Sequence, residues 1–64
     1  MTRVVQIRRN RDKVRDITVA GIGLVGRGVE MTVKSRRNGD VVFKFTFPAR
    51  LQTDVDEALG GIEL

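Results

Sequence analysis

The chain has 64 residues, enough for one small domain, and it contains neither cysteine nor histidine. Disulfide bridges, thiolate or imidazole metal ligands and a histidine general base are therefore excluded. The net charge of +4 favours an acidic partner. No apolar run is long enough for a membrane span or a signal peptide, which predicts a soluble protein, cytoplasmic unless it belongs to a virion.

The first third of the chain is predicted to contain two strands. Alternating apolar residues predict a strand over residues 2–8, and the polar residues 9–13 predict a loop. A looser alternation predicts a second strand over residues 14–20, with Ile17 and Val19 on one face.

Residues 21–28 contain four glycines and are predicted to form a connecting loop. The six residues from Gly21 to Gly26 match the pattern G-x-G-x-x-G. A dinucleotide site needs a helix beginning at these glycines, followed by a second parallel strand with an acid for the ribose. The residues after Gly28 alternate as a strand instead, and Glu30 comes too early for that acid. The pattern therefore predicts a bent loop and no nucleotide cofactor.

Two apolar alternations, over residues 29–36 and 41–47, predict a β-hairpin. A two-residue turn would place Val33 opposite Lys44, whereas a three-residue loop over 37–39 places it opposite Phe43. Such a loop needs a positive φ at its last residue, which Gly39 allows. The predicted cross-strand pairs are Val33 with Phe43, Met31 with Phe45, Val29 with Phe47, Lys34 with Val42, and Arg36 with Asp40.

The hairpin is expected to end at Pro48, because proline donates no hydrogen bond to a ladder. Asp54 and Glu57 resemble a helix capping box, and the helical spacing of Leu51, Val55, Ala58 and Leu59 predicts a helix of about one and a half turns that Gly60-Gly61 would end. A loop with one helical turn fits this short segment equally well. A terminal strand is predicted over residues 62–64. The fold class predicted is all-β: a single-domain antiparallel sandwich or barrel of about five strands, with room for one short helical turn near the C terminus.

The residue types that could stack on bases or bind a metal have structural explanations in this sequence. The three phenylalanines share the apolar face of the hairpin, so they are expected in the core and not on a base-stacking platform. Asp54, Asp56 and Glu57 lack the spacing of a calcium loop and are expected at a helix start or a solvated turn. The chain is therefore not expected to be an enzyme or to hold a metal, a cofactor or a small-molecule substrate.

The order of several motifs is characteristic. "DITV" is followed by Leu24-Val25-Gly26, by the alternation Val29, Met31, Val33, and by the turn Asn38-Gly39. This order resembles the small β domain at the N terminus of siphophage upper-baseplate proteins and related tail proteins. The closing "GGIEL" is similar to a glycine-led strand of that family. The resemblance implies a non-enzymatic virion component that assembles by subunit packing.

Charge is divided between the two ends of the sequence. Residues 3–15 hold six basic side chains and one acid, whereas residues 51–64 hold four acids and no base. Our leading hypothesis is a structural protein of a phage tail or baseplate, a homo-oligomer or part of a larger assembly, with partner-binding residues Arg8, Arg9, Arg11, Asp54, Asp56 and Glu57. The alternative is a basic β domain that binds nucleic acid through phosphates, using Arg3, Arg8, Arg9, Arg11, Lys13 and Arg15. A third interpretation is a solvated surface without a partner.

Overall fold

A computed structural model describes residues 1–60 of the chain, so the strand predicted over 62–64 lies outside the described residues. The described part mixes helix and strand, and the prediction of an all-β fold with five strands is wrong. The β-only domain that the resemblance to phage proteins implied is likewise not observed. The elements are β1 (Thr2–Asn10), α1 (Arg15–Val25), β2 (Glu30–Ser35), β3 (Asp40–Pro48) and α2 (Gln52–Leu59), with 3-10 turns at Arg11–Lys13 and Ala49–Leu51.

Within residues 1–60 the strands form one antiparallel sheet in the order β1-β3-β2. β3 is central and carries the three phenylalanines, all of them buried, as predicted. Cross-strand partners share a face, so the pairing of Ile7 with Phe43 and of Val5 with Phe45 aligns the apolar face of β1 with that of β3. The sheet therefore has one apolar face and one face of mainly polar side chains.

The predicted hairpin register is confirmed. Val33 pairs with Phe43, and Gly39 has a φ of +92°, as the three-residue loop requires. The Arg36 amide donates to the Asp40 carbonyl oxygen over 2.8 Å, which closes the loop. The expected ion pair between these two residues is replaced: the Asp40 carboxylate lies 3.8 Å from Arg8 Nε on the neighbouring strand.

The predicted strand over 14–20 and loop over 21–28 form a single helix, α1, followed by a turn. Ile17, Gly21 and Leu24 face the sheet and are buried, a spacing of four and three residues that suits a helix. Val19 was placed beside Ile17 on one strand face, and it is 66% exposed instead. Gly21 and Gly23 lie inside the helix and Gly26 is its C-cap, so none of them is at the N terminus to form a phosphate-binding turn.

Gly21 lets α1 approach the sheet closely. A Cβ at this position would overlap Met31 Sδ and would lie 3.2 Å from Phe45 Cε1. Contact with Met31 places α1 above the β2 side of the sheet. α2 lies above the β1 side, where Val55 and Leu59 lie next to Val5. Both helices thus cover the apolar face, and the opposite face of the sheet has no helix over it among the described residues.

α2 spans Gln52–Leu59, slightly more than the short helix that the sequence predicts as one alternative, and it begins before the predicted capping box. Its N-cap residue is Leu51, and no side chain caps the first amides. Asp54 therefore lies in the first turn and is not the cap. Packing of Val55 and Leu59 into the core compensates for the missing cap. The buried core comprises Ile7, Ile17, Leu24, Val29, Val41, Phe43, Phe45, Phe47, Val55 and Leu59.

Candidate nucleic-acid interface

Two basic segments that are far apart in the sequence meet at one end of the molecule. The pairing of β1 with β3 sets Asn10 beside Asp40, and the Arg11 amide donates to the Gly39 carbonyl oxygen over 3.1 Å. The chain that leaves β1 therefore runs beside the β2–β3 turn. We call this region the basic end; its basic residues are Arg8, Arg9, Arg11, Lys13, Arg15, Arg36 and Arg37.

Asparagine side chains fix the backbone of both turns at the basic end. Asn10 Oδ1 accepts a hydrogen bond of 3.1 Å from the Asp12 amide, which caps the 3-10 turn after β1. Asn38 Oδ1 accepts one of 3.1 Å from the Asp40 amide, and its Nδ2 donates to Asp40 Oδ2. These local bonds define the backbone that carries the basic side chains, so a ligand meets a pre-formed surface.

The basic end holds the entire net charge of the chain. Its seven basic residues outnumber its three acids, Asp12, Asp16 and Asp40, by four. Elsewhere in the sequence there are five bases and five acids, whose charges cancel. Only Arg8 has an acidic partner within 4 Å among the described residues, and that contact is long and exposed. Six basic side chains there are thus unpaired in residues 1–60, and all of them except Arg9 are exposed.

The uncovered face of the sheet continues the basic end. Gln6, Lys44 and Thr32 lie side by side across the three strands, and the next row contains Arg8, Val42 and Lys34. A shallow depression lies on this face, and Arg36 forms its margin toward the basic end. Because every aromatic ring of the chain is buried in the core, this face has no ring on which a base could stack.

The residues predicted to bind nucleic acid divide into two groups. Five of the six belong to the basic end, but Arg3 pairs with Phe47 near the opposite end of the sheet. Arg36 and Arg37 were missed, because the sequence does not say that β1 pairs with β3 beside the hairpin turn. The hairpin register had already placed both residues at a turn, and that position was the available signal.

The acids predicted to bind a partner lie on α2, away from the basic end. Asp54 Oδ1 is 3.1 Å from an Arg27 guanidinium nitrogen, and Asp56 Oδ1 accepts a hydrogen bond of 2.9 Å from Gln52 Nε2. Glu57 is exposed and lines a groove between the two helices. Among residues 1–60 no ion pair joins these acids to Arg8, Arg9 or Arg11, and two of the three acids have partners within the chain.

Among residues 1–60, no three histidine, cysteine or acidic side chains are close enough to hold a metal ion. Neither α1 nor α2 is long and apolar enough to cross a membrane. The chain matches no protein-family model, and searches of curated proteins and of solved structures found no similar protein.

Proposed function

We propose that this chain is a small nucleic-acid-binding domain that contacts phosphates through its basic end and reads no base sequence. The convergence of the segment after β1 with the β2–β3 turn carries the proposal. Folding brings seven basic side chains to one end of the molecule, although they are divided between two parts of the sequence. A surface of this kind attracts a polyanion, and binding releases the counterions that surround the polyanion.

The chemistry of the basic end suits phosphate groups. Six of its seven bases are arginines, whose planar guanidinium groups donate two parallel hydrogen bonds to phosphate oxygens. Arg8 projects on the uncovered sheet face and Arg9 on the helical side, so the basic surface extends around the end of the sheet. Since no aromatic ring is exposed, affinity would depend on phosphate contacts and be indifferent to base identity.

The experiment is a titration of a fluorescent random-sequence DNA duplex with the purified protein, between about 50 and about 200 mM salt. Each neutralised phosphate contributes about −0.9 to the slope of log K against log salt concentration. With four to six of the seven bases engaged, we expect a slope of about −4 to −5. Substitution of the duplex sequence should leave the affinity unchanged.

Two matched double variants distinguish binding through the basic end from a general effect of net charge. Arg11→Gln with Arg36→Gln removes two charges from the basic end, and we expect the salt slope to decrease in magnitude by about 2. Arg3→Gln with Arg50→Gln removes two equally exposed charges from outside the basic end. The second pair should change the slope much less. Equal losses from both pairs, or no binding at the lower salt concentration, would contradict the proposal.

The second candidate is a structural role in a phage tail or baseplate, with subunits packed head to tail. It is favoured by the separation of the basic end from the acids of α2, because such packing needs opposite charges on different surfaces. Asp56→Lys with Glu57→Lys should then abolish assembly at low salt. Unchanged particle size in light scattering would contradict it.

A further inference from the structure

β2 forms an outer edge of the sheet, and among the described residues nothing pairs with its free side. The strand order β1-β3-β2 leaves the outward amides and carbonyls of Glu30–Ser35 without a neighbouring strand. An uncovered edge of this kind is a template for pairing with another chain. The question is which chain fits the side chains that line this edge.

Apolar side chains are exposed along this edge. Val33 lies on the apolar face of β2, yet it is 48% exposed because no further strand within the described part of the chain covers it. In α1, Val19, Ala20 and Gly23 line the groove against α2. At 100° per residue, Val25 lies on the opposite flank of the helix, and Ile22 lies between that flank and the side that faces away from the sheet.

This flank of α1 faces outward over the β2 edge. α1 contacts Met31 of β2, while α2 lies next to Val5 of β1. The side of α1 turned away from α2 is therefore also the side turned beyond β2. Ile22, which is 64% exposed, and Val25, which is 48% exposed, border the same edge as Val33. A strand and a helix supplied by a partner would cover all three.

The side chains of β2 are complementary to a second copy of β2. A two-fold axis through Thr32, perpendicular to the sheet, pairs Glu30 with Lys34 of the second copy, and the reverse. The same register pairs Met31 with Val33 of the second copy on the apolar face. The oppositely charged pairs therefore lie on the polar face of the joined sheets, and the apolar pairs lie on the apolar face.

The other edge of the sheet is less suited to self-pairing. A symmetric antiparallel pairing of β1 centred on Gln6 places Arg3 opposite Arg9 of the second copy. Like charges directly opposite each other destabilise a strand pair, and charged edge strands resist association. The two edges thus differ, and charge complementarity selects β2.

We infer that two copies of this chain associate through antiparallel pairing of their β2 strands, forming a continuous six-stranded sheet with four helices on one face. Ile22, Val25 and Val33 become buried at the two-fold axis. The two basic ends point in opposite directions along the joined sheet. The inference does not depend on nucleic-acid binding, because it rests on the β2 edge and not on the basic end.

The test is sedimentation equilibrium of the wild-type protein and of charge variants from micromolar to millimolar concentration. Lys34→Glu and Glu30→Lys each place like charges opposite each other twice in the dimer, so each should weaken it about tenfold or more. The double variant Glu30→Lys with Lys34→Glu exchanges the charges and should restore wild-type affinity. Circular dichroism confirms that each variant is folded.

A second comparison tests the helical part of the interface. Ile22→Asp introduces a charge at the proposed interface, whereas Val19→Asp introduces the same charge on the flank that lines the groove against α2. Both residues are exposed in the single chain, so neither variant should prevent folding. We expect dissociation only for Ile22→Asp. A monomeric wild type at millimolar concentration, a double variant that stays monomeric, or equal effects of the two aspartates would overturn the inference.

Discussion

Two glycines of α1 experience opposite environments, and replacing each by alanine should have opposite effects on stability. Among residues 1–60, a Cβ at Gly23 would have no atom within 4 Å outside its own helix. Alanine there should stabilise the protein by about 0.8–1 kcal/mol, because glycine is the poorer helix former. In a domain of this size, that gain raises Tm by about 4–8 °C.

At Gly21 the same substitution should be neutral or destabilising. The new Cβ would overlap Met31 Sδ and would lie 3.2 Å from Phe45 Cε1. Overpacking of this kind costs about 1–3 kcal/mol, which offsets or exceeds the gain in helix propensity. We therefore expect the two alanine variants to differ by about 1–3 kcal/mol in the free energy of unfolding.

The assay is urea unfolding followed by far-ultraviolet circular dichroism. Met31→Ala removes the overlapping sulfur, so combined with Gly21→Ala it should cost less than the sum of the single changes. If Gly23→Ala destabilises the protein, residues 21–25 do not continue a helix and the assignment of α1 is refuted. If Gly21→Ala stabilises it as much as Gly23→Ala, the close contact between α1 and β2 is refuted.

Three further predictions concern stability. Gly39→Val should lower the free energy of unfolding by about 1–3 kcal/mol, because Gly39 has a φ of +92°. Asn38→Ser should lower it less, since the serine hydroxyl still accepts a hydrogen bond from the Asp40 amide. Equal urea midpoints for the two variants would contradict the loop geometry. Phe45→Ala should lower the free energy of unfolding by about 3–5 kcal/mol, most of the stability of a chain this short, because the Phe45 ring is fully buried. An unchanged thermal transition would contradict the placement of Phe45 in the core. Asp54→Asn should lower the free energy of unfolding by less than about 1 kcal/mol, because the ion pair between Asp54 and Arg27 is exposed. The loss should vanish at high salt. A loss of stability that does not depend on salt would show that the carboxylate has another role.

The hairpin could be predicted from the sequence because its signal is redundant. Three phenylalanines on alternate residues face a second alternation, and a one-residue slip would reverse one whole apolar set. Gly39 supplied the turn conformation independently of that pattern. When side-chain period and turn chemistry agree, the register has a single solution.

α1 could not be predicted in the same way, because its stability comes from packing. Two of its interior residues, Gly21 and Gly23, disfavour a helix, and both were interpreted as marking a loop. Ile17 and Leu24 are buried against the sheet, and Gly21 permits that close approach. The tertiary contacts with Met31 and Phe45 explain why a poor helix former is suitable at Gly21.

The basic end was only half visible in the sequence for a related reason. The bases before α1 form an evident run, but Arg36 and Arg37 lie in a distant turn. They join the run because β1 pairs with β3, a contact between strands more than thirty residues apart. Local patterns do not reveal the pairing partners of a strand, so the site depended on topology.

The most direct measurement is a titration of the isotopically labelled protein with a short random-sequence DNA duplex, followed by amide chemical shifts at low salt. We expect the largest shift changes in residues 8–15 and 34–40, smaller ones along the uncovered face of the sheet, and little change in α2. Shift changes confined to α2, or spread evenly over the chain, would contradict the proposal that the basic end binds nucleic acid.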